Sequence, residues 1–224
     1  MESKQDYNRL VGKIAPYQKI LEQLRNHQIP DAYPEADRYP LLYGPYSLDE
    51  CSFFIREDVI RYAGYSFVAY RWLRPLATWI GNRKCLEIMG GSGALSRGLQ
   101  DCGVNIHCTD TFSWVENKYC WYENAWTTVE CIDAVEAIYR YGKDVDLLVC
   151  SWPYTNDDCF YALQAMREVN PSSMMIYIGE GKGGCTASDK FFDSMIPVED
   201  KSFEKAVEGY RAAYRIRDRI HLCR

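Results

Sequence analysis

Cys85-Leu-Glu-Ile-Met-Gly-Gly-Ser-Gly-Ala-Leu-Ser96 decides the fold of this chain. A short apolar strand, Lys84–Met89, runs into glycines and then into a helical stretch, Ala94–Cys102, that stops at Gly103. Glycines at such a turn let the backbone bend tightly and come close to a ligand, beside a helix N-terminus whose N–H groups are free. The dinucleotide form needs Gly-x-Gly-x-x-Gly, and here Gly91-x-Gly93 is followed by Ser96 where the third glycine belongs. A phosphate-binding P-loop needs Gly-Lys-Ser/Thr, which does not follow.

Working outward, strand and helix patterns alternate. Val104–Thr109 reads as strand, Val115–Trp126 as helix, Thr127–Cys131 as strand and Ala134–Tyr141 as helix ending at Gly142. Val145–Cys150 is a strong apolar strand, Cys159–Val169 a helix stopped by Asn170-Pro171, and Met174–Ile178 another strand. Ala187–Asp193 and Phe203–Tyr214 are further helices and Arg219–Cys223 a final strand. The pattern predicts an α/β fold, a doubly wound and mostly parallel sheet with helices on both faces. Upstream, Leu10, Ile14, Tyr17, Leu21 and Leu24 mark a helix over residues 6–27, kinked or restarted at Pro16. Pro30, Pro34, Pro40 and Pro45 alternate with Tyr33, Tyr39, Tyr43 and Tyr46 in an ordered connector. Residues 56–79 are mostly helical, with breaks near Gly64 and Pro75 and a stop at Gly81. The expected division is a helical, aromatic cap over 1–80 and a catalytic domain over 81–224.

Composition narrows the class. Of 224 residues, 47% are hydrophobic, enough for a real core. No apolar run approaches the ~18 residues of a membrane span, and the polar start argues against a secretory leader, so a cytoplasmic protein is expected. The 10 Cys form no Cys-x-x-Cys pair and His numbers only 3, which disfavours a zinc cage and predicts reduced, mostly buried thiols. A net charge of −5 disfavours a broad grip on nucleic acid. The basic excess over residues 201–224 reads as the solvated face of a helix.

The glycine segment resembles motif I of the class I, Rossmann-like S-adenosylmethionine (SAM) methyltransferases, an acidic residue ending strand one and then Gly-x-Gly-x-Gly. Glu87 takes the acidic place, Gly91 and Gly93 the second and third glycine places, with Ser92 between them. Met89 stands where the first glycine usually is. The resemblance covers residues 75–180 and implies a seven-stranded sheet, SAM (S-adenosyl-L-methionine) as cofactor, and a methyltransferase activity. It places Glu87 near the methionine end and Asp110, with Thr111, on the ribose. Asp133 and Ala134 fall at the adenine, although Asp133 equally suits the N-cap of the next helix. Asp146–Tyr154 resembles motif IV, and Ser151-Trp152-Pro153-Tyr154 resembles the Asp/Asn/Ser-Pro-Pro-Tyr/Phe turn of amino methyltransferases, with Trp152 replacing the first proline.

Methyl transfer needs alignment and exclusion of water, and an acceptor hydroxyl or ammonium must also lose a proton. Ligands of doubly wound sheets lie at the carboxyl ends of the strands. That points to Ser151 beside the cofactor, to Trp152 and Pro153 around the acceptor, and to Tyr154 as its orienting residue; the resemblance also implies an N-terminal lid, which adds the aromatic faces of Tyr65 and Tyr70. Glu180, in the glycine-rich loop after strand five, is expected to have a raised pKa and to act as base; pairing with Lys182 is the plain structural alternative. The leading reading is N- or O-methylation of a small molecule by a monomer or homodimer. A nucleic-acid or protein amino-methyltransferase and a non-catalytic partner of the same fold are the competing readings.

Overall fold

The computed structural model describes residues 15–33, 48–113, 121, 123–213 and 216–224. The start of the first expected helix, most of the proline–tyrosine connector and most of the 115–126 helix lie outside the described residues. Within them the chain forms α1 (Ala15–Arg25), α2 (Leu48–Tyr62), α3 (Tyr70–Ile80), β1 (Cys85–Ile88), α4 (Ala94–Asp101), β2 (Ile106–Asp110), β3 (Val129–Cys131) and α5 (Ala134–Tyr141). β4 (Leu147–Ser151), α6 (Asp158–Val169), β5 (Met174–Gly179), α7 (Asp189–Ser194), α8 (Lys201–Val207) and β6 (Arg219–Cys223) follow.

The sheet order is β3-β2-β1-β4-β5-β6, and only β6 runs antiparallel, against β5. β1 pairs with β2 on one side and β4 on the other, so the winding reverses between β1 and β4. A crevice opens at the carboxyl ends of strands at such a reversal. The period of two along each strand sorts the core into two layers. Cys85, Leu147, Val149, Ile176 and Ile178 face Leu73 and Leu76 of α3 and Leu99 of α4. Leu86, Ile88, Leu148, Cys150 and Tyr177 face Ile138 of α5 and Leu163 and Met166 of α6. Ile20 and Leu24 of α1 and Val59 of α2 join the first layer, so the upstream helices share the sheet's own core.

Three expectations change. The break near Gly64 is present, but α3 runs through Pro75, because proline's fixed φ is helical and its main cost is one missing backbone hydrogen bond. Residues 123–126 are turn and irregular chain, not helix. The described residues form six strands, where seven were expected. Beyond β6, Ile196 and Arg224 exchange backbone hydrogen bonds of 2.8 Å, and Val198 N–H reaches the Leu222 carbonyl at 2.9 Å. Pro197 sits in the middle of this segment. The bonds to β6 come from its neighbours Ile196 and Val198, so the seventh position is one bridge, and Pro197 leaves its outer side without an N–H donor. Among the described residues no helix is long and apolar enough to cross a membrane.

Candidate active site

A cavity of about 310 Å³ lies at the carboxyl ends of β1, β2 and β4. Its walls include the glycine loop, Asp110 and Thr111 after β2, Asp133 and Ala134 at the start of α5, the Ser151–Tyr154 turn, and residues 63–66 between α2 and α3. Met89, Phe112 and Trp152 have φ of 53°, 54° and 53°. Each lies within two residues of the end of β1, β2 or β4. Left-handed backbone costs a non-glycine residue about 1–2 kcal/mol, so this strain collects where the three strands deliver their loops to the cavity. Met89 therefore holds a left-handed conformation that glycine would adopt without strain.

The glycine loop is braced from three sides. Gly91 N–H donates to Asp110 Oδ2 at 2.8 Å, and Phe112 N–H donates to Oδ1 at 2.6 Å. Ser92 hydroxyl donates to the Ala63 carbonyl, tying the loop to the α2–α3 connector. Glu87 Oε2 accepts the Ser96 N–H at 3.1 Å and the Ser96 hydroxyl, and Cys108 Sγ lies 3.4 Å away. Gly93, the N-cap of α4, has no side chain with which to cap it, and the Glu87 carboxylate serves that helix end instead. A Cβ on Gly90 would lie 2.5 Å from Cys108 Sγ and 3.1 Å from Glu87 Cδ. Gly90→Ala is expected to cost about 1–3 kcal/mol by overpacking. Chemical denaturation checks this, and Cys108→Ala in the same chain should restore most of the loss.

The wall opposite is made by the end of α2. Its last carbonyls have no helical partner. Trp121 indole donates to the carbonyls of Ile60 at 3.1 Å and Arg61 at 3.2 Å, and Trp126 indole donates to that of Tyr62 at 2.7 Å. Tyr65 then stacks on Trp152 with centroids 5.5 Å apart, and the Arg56 guanidinium lies 5.2 Å from the Trp152 ring. Trp152 is fixed by its N–H to the Ile178 carbonyl at 2.7 Å and its indole to Asp218 Oδ2 at 2.9 Å. Nothing in the sequence pattern singled out Asp218, Arg56, Ser66 or the indoles of Trp121 and Trp126, because each meets a cavity-wall partner 60 or more residues away.

The cavity brings together Glu87, Gly91, Ser92, Asp110, Thr111, Asp133, Ala134, Ser151, Trp152, Pro153, Tyr154 and Tyr65. Asp133 is the N-cap of α5, its Oδ1 accepting from the Val135 and Glu136 N–H groups, and the residue also lines the cavity. Gly93 lies behind the wall, where a Cβ would meet Val129 at 2.9 Å and Thr127 at 3.0 Å. Two expected residues are elsewhere. Tyr70 begins α3 outside the cavity and donates to Asp101 Oδ2 at 3.0 Å. Glu180 also lies outside the cavity lining, its oxygens accepting N–H groups of Cys185 at 2.9 Å and Arg217 at 3.1 Å. Burial raises its pKa, but those backbone donors and the Arg56 charge outweigh it and hold the carboxyl below its ordinary value. The expected raised base is thus a loop brace, and Lys182 pairs with Asp193 instead of Glu180. Among the described residues no group of His, Cys, Asp or Glu is placed to hold a metal ion.

No protein-family model matches the chain, and no curated protein matches it significantly. Solved structures do match. The SAM-dependent methyltransferase from Agrobacterium tumefaciens aligns over 50% of this chain at 15% identity and TM-score 0.36, and the match spans only 44% of that protein's length. A variant of MtNAS in complex with S-adenosylmethionine aligns over 98% of this chain and 95% of its own, at 12% identity and TM-score 0.44. Human N-acetylserotonin methyltransferase in complex with SAM aligns over 97% and 69%, at 12% identity and TM-score 0.41. Scores this low decide nothing about the site, whose chemistry rests on the chain's own residues.

Proposed function

We propose that the chain is a SAM-dependent methyltransferase acting on a nitrogen or oxygen atom of a small, neutral or cationic acceptor. The observation that supports this most is one cavity. It gathers Glu87, the glycine loop, Asp110 and Asp133 at one end and the Ser151–Tyr154 turn at the other. These residues fit the cofactor. Gly91 lines the cavity with backbone alone. Asp110 lines the cavity with a carboxylate at the end of β2, the kind of group that accepts from ribose hydroxyls. Asp133 accepts both of its helix bonds on Oδ1.

When bound, SAM supplies a methyl group on a sulfonium sulfur. The chain's own part is to hold, orient and dry the site. Asp110 accepts from the ribose, Asp133 from the adenine amino group, and Glu87 offers negative charge to the methionine end. The faces of Tyr65 and Trp152 exclude water and suit a cation. Tyr154, 56% exposed at the rim, meets the incoming acceptor. Glu87, Asp110, Asp133 and Asp158 line the cavity, with no Lys, Arg or His among the described lining residues. An anionic acceptor is therefore disfavoured, which argues against a nucleic-acid substrate. Exposed free thiols at Cys131 and Cys185 fit a reducing compartment such as the cytoplasm.

Isothermal calorimetry tests the cofactor. Roughly micromolar affinity for SAM or S-adenosylhomocysteine, about −8 kcal/mol, is expected. Absence of heat at near-millimolar cofactor would overturn the reading.

A further inference from the structure

The Ser151–Tyr154 turn presents the Trp152 ring to the cavity from a left-handed backbone, with φ of 53°. A bulky residue keeps such a conformation only where its surroundings hold it. The Ile178 carbonyl holds the backbone at 2.7 Å. The ring is held by Asp218, whose Oδ2 accepts the indole N–H at 2.9 Å from 66 residues further along the chain. Asp218 directly precedes β6 and does not itself line this cavity. It is 5% exposed, and the Tyr210 phenol donates to the same Oδ2. Tyr210 packs edge-on against Trp72 of α3, with ring centroids 5.3 Å apart, and Trp72 is buried in the core. Direct contacts thus run from the core, through Tyr210 and Asp218, to a ring of the cavity wall.

We propose that Asp218 is a positioning residue for methyl transfer, acting through the Trp152 indole to fix the aromatic wall at the acceptor end of the cavity. The inference rests on the methyltransferase reading. A buried carboxylate is costly unless it is hydrogen-bonded. Here both donors converge on Oδ2, while Oδ1 is buried without a hydrogen-bond partner among the described residues. Apolar side chains of similar volume often serve stability as well as a buried charge does. What the carboxylate adds is direction. Its bond to the indole N–H sets the rotation of the Trp152 ring, which stacks on Tyr65 with centroids 5.5 Å apart. Ser151, the residue before Trp152, meets Ser66 with hydroxyl oxygens 2.5 Å apart, so turn and connector touch at two adjacent points. A fixed ring matters because a cation is drawn to an aromatic face only within about 6 Å of its centre. It matters also because a misplacement of about 1 Å can cost about 10²-fold in rate.

Two cofactor analogues read this wall without any acceptor. S-adenosylhomocysteine has a neutral thioether, whereas sinefungin carries a primary ammonium in place of the methyl-bearing sulfonium of SAM. The ratio of their dissociation constants, from calorimetry on the full chain, reports what faces that ammonium. A general loosening of the fold weakens both alike. Asp218→Leu removes both acceptor oxygens and should weaken sinefungin about fivefold more than S-adenosylhomocysteine. Trp152→Phe keeps a ring but has no indole N–H, and it should shift the ratio by about the same factor. The double variant should show no further shift, because the carboxylate acts only through the indole. Asp218→Asn keeps one carbonyl oxygen for the indole and should stay within about twofold of wild type.

An unchanged ratio in Asp218→Leu overturns the proposal. So does a shift of the same size when Asp218→Leu is made in the Trp152→Phe background, which would make Asp218 a charge acting directly on the ligand. If Asp218→Leu does not fold, the indole N–H resonance of Trp152, identified by its loss in Trp152→Phe, decides instead. It should move upfield in Asp218→Asn as a neutral acceptor replaces a charged one, and an unmoved resonance overturns the anchor. Failure of the wild-type chain to bind either analogue defeats the methyltransferase reading instead.

Discussion

Asp110→Ala is expected to cost the protein both its cofactor and the shape of its glycine loop. Asp110 is 2% exposed and holds the N–H groups of Gly91 and Phe112 from the end of β2. Hydrogen bonds to a charged group contribute about 1.5–3 kcal/mol each, so losing both should destabilise the fold by about 3 kcal/mol or more. For a chain of this size that is a fall of roughly 6–12 °C in Tm. Affinity for SAM should drop by about 10- to 150-fold from the lost ribose contacts alone, and further as Gly91 relaxes. Asp110→Asn separates the two roles. One carbonyl oxygen can still take one N–H, but the amide turns a donor toward the other, so stability should recover in part and affinity less. Calorimetry and thermal unfolding on the same preparations read the two effects. Unchanged affinity in Asp110→Ala would remove this residue from the site.

The same residue shows what the sequence carried and what it did not. Local patterns were legible: the glycine turn after β1, the acids ending β1 and β2, and the Asp133 cap all follow from neighbours a few residues apart. The parallel sheet followed from apolar runs such as Val145–Cys150, since strands buried on both faces show no polar alternation. Asp110 as a ligand candidate was visible; Asp110 as the clamp on Gly91 was not, because that bond spans 19 residues. Glu180 misled for a related reason. A carboxylate in a glycine-rich loop looks available, yet the loop folds back so that Cys185 and Arg217 donate to it. Asp218, in a basic stretch near the end of the chain, looked like a solvated charge. Its burial depends on Trp152 and Tyr210 meeting it across the sheet edge. The seventh position is a single bridge, Pro197 opposite Cys223, too short to show as an apolar run.

Glu87 is expected to make both stability and, under the proposed function, cofactor binding depend on pH near neutrality. It is 1% exposed, and burial pushes its carboxyl up to about 7 from an ordinary 4.5, with hydrogen bonds from Ser96 and Cys108 opposing and the Asp110 charge adding to the rise. The folded state thus holds a proton that the unfolded chain releases at lower pH. Glu87 therefore contributes stability that is fully present below about 4.5 and is lost as pH rises through about 7. A gap of that width corresponds to about 3 kcal/mol. In Glu87→Gln that pH dependence is absent. The stability difference between variant and wild type, from urea unfolding between acid and mildly alkaline pH, should move by about 3 kcal/mol in the variant's favour on going up. Parallel profiles would sink the assignment. Binding should move the opposite way. A cation at the methionine end of the cofactor favours ionised Glu87, so wild-type affinity for SAM should tighten by up to about tenfold per pH unit below 7 and level off above it. Glu87→Gln should bind more weakly with little such slope, because an amide has no proton to lose and no charge to offer. The acid that caps α4 through Ser96 would then be the group that sets the pH at which the cofactor is held.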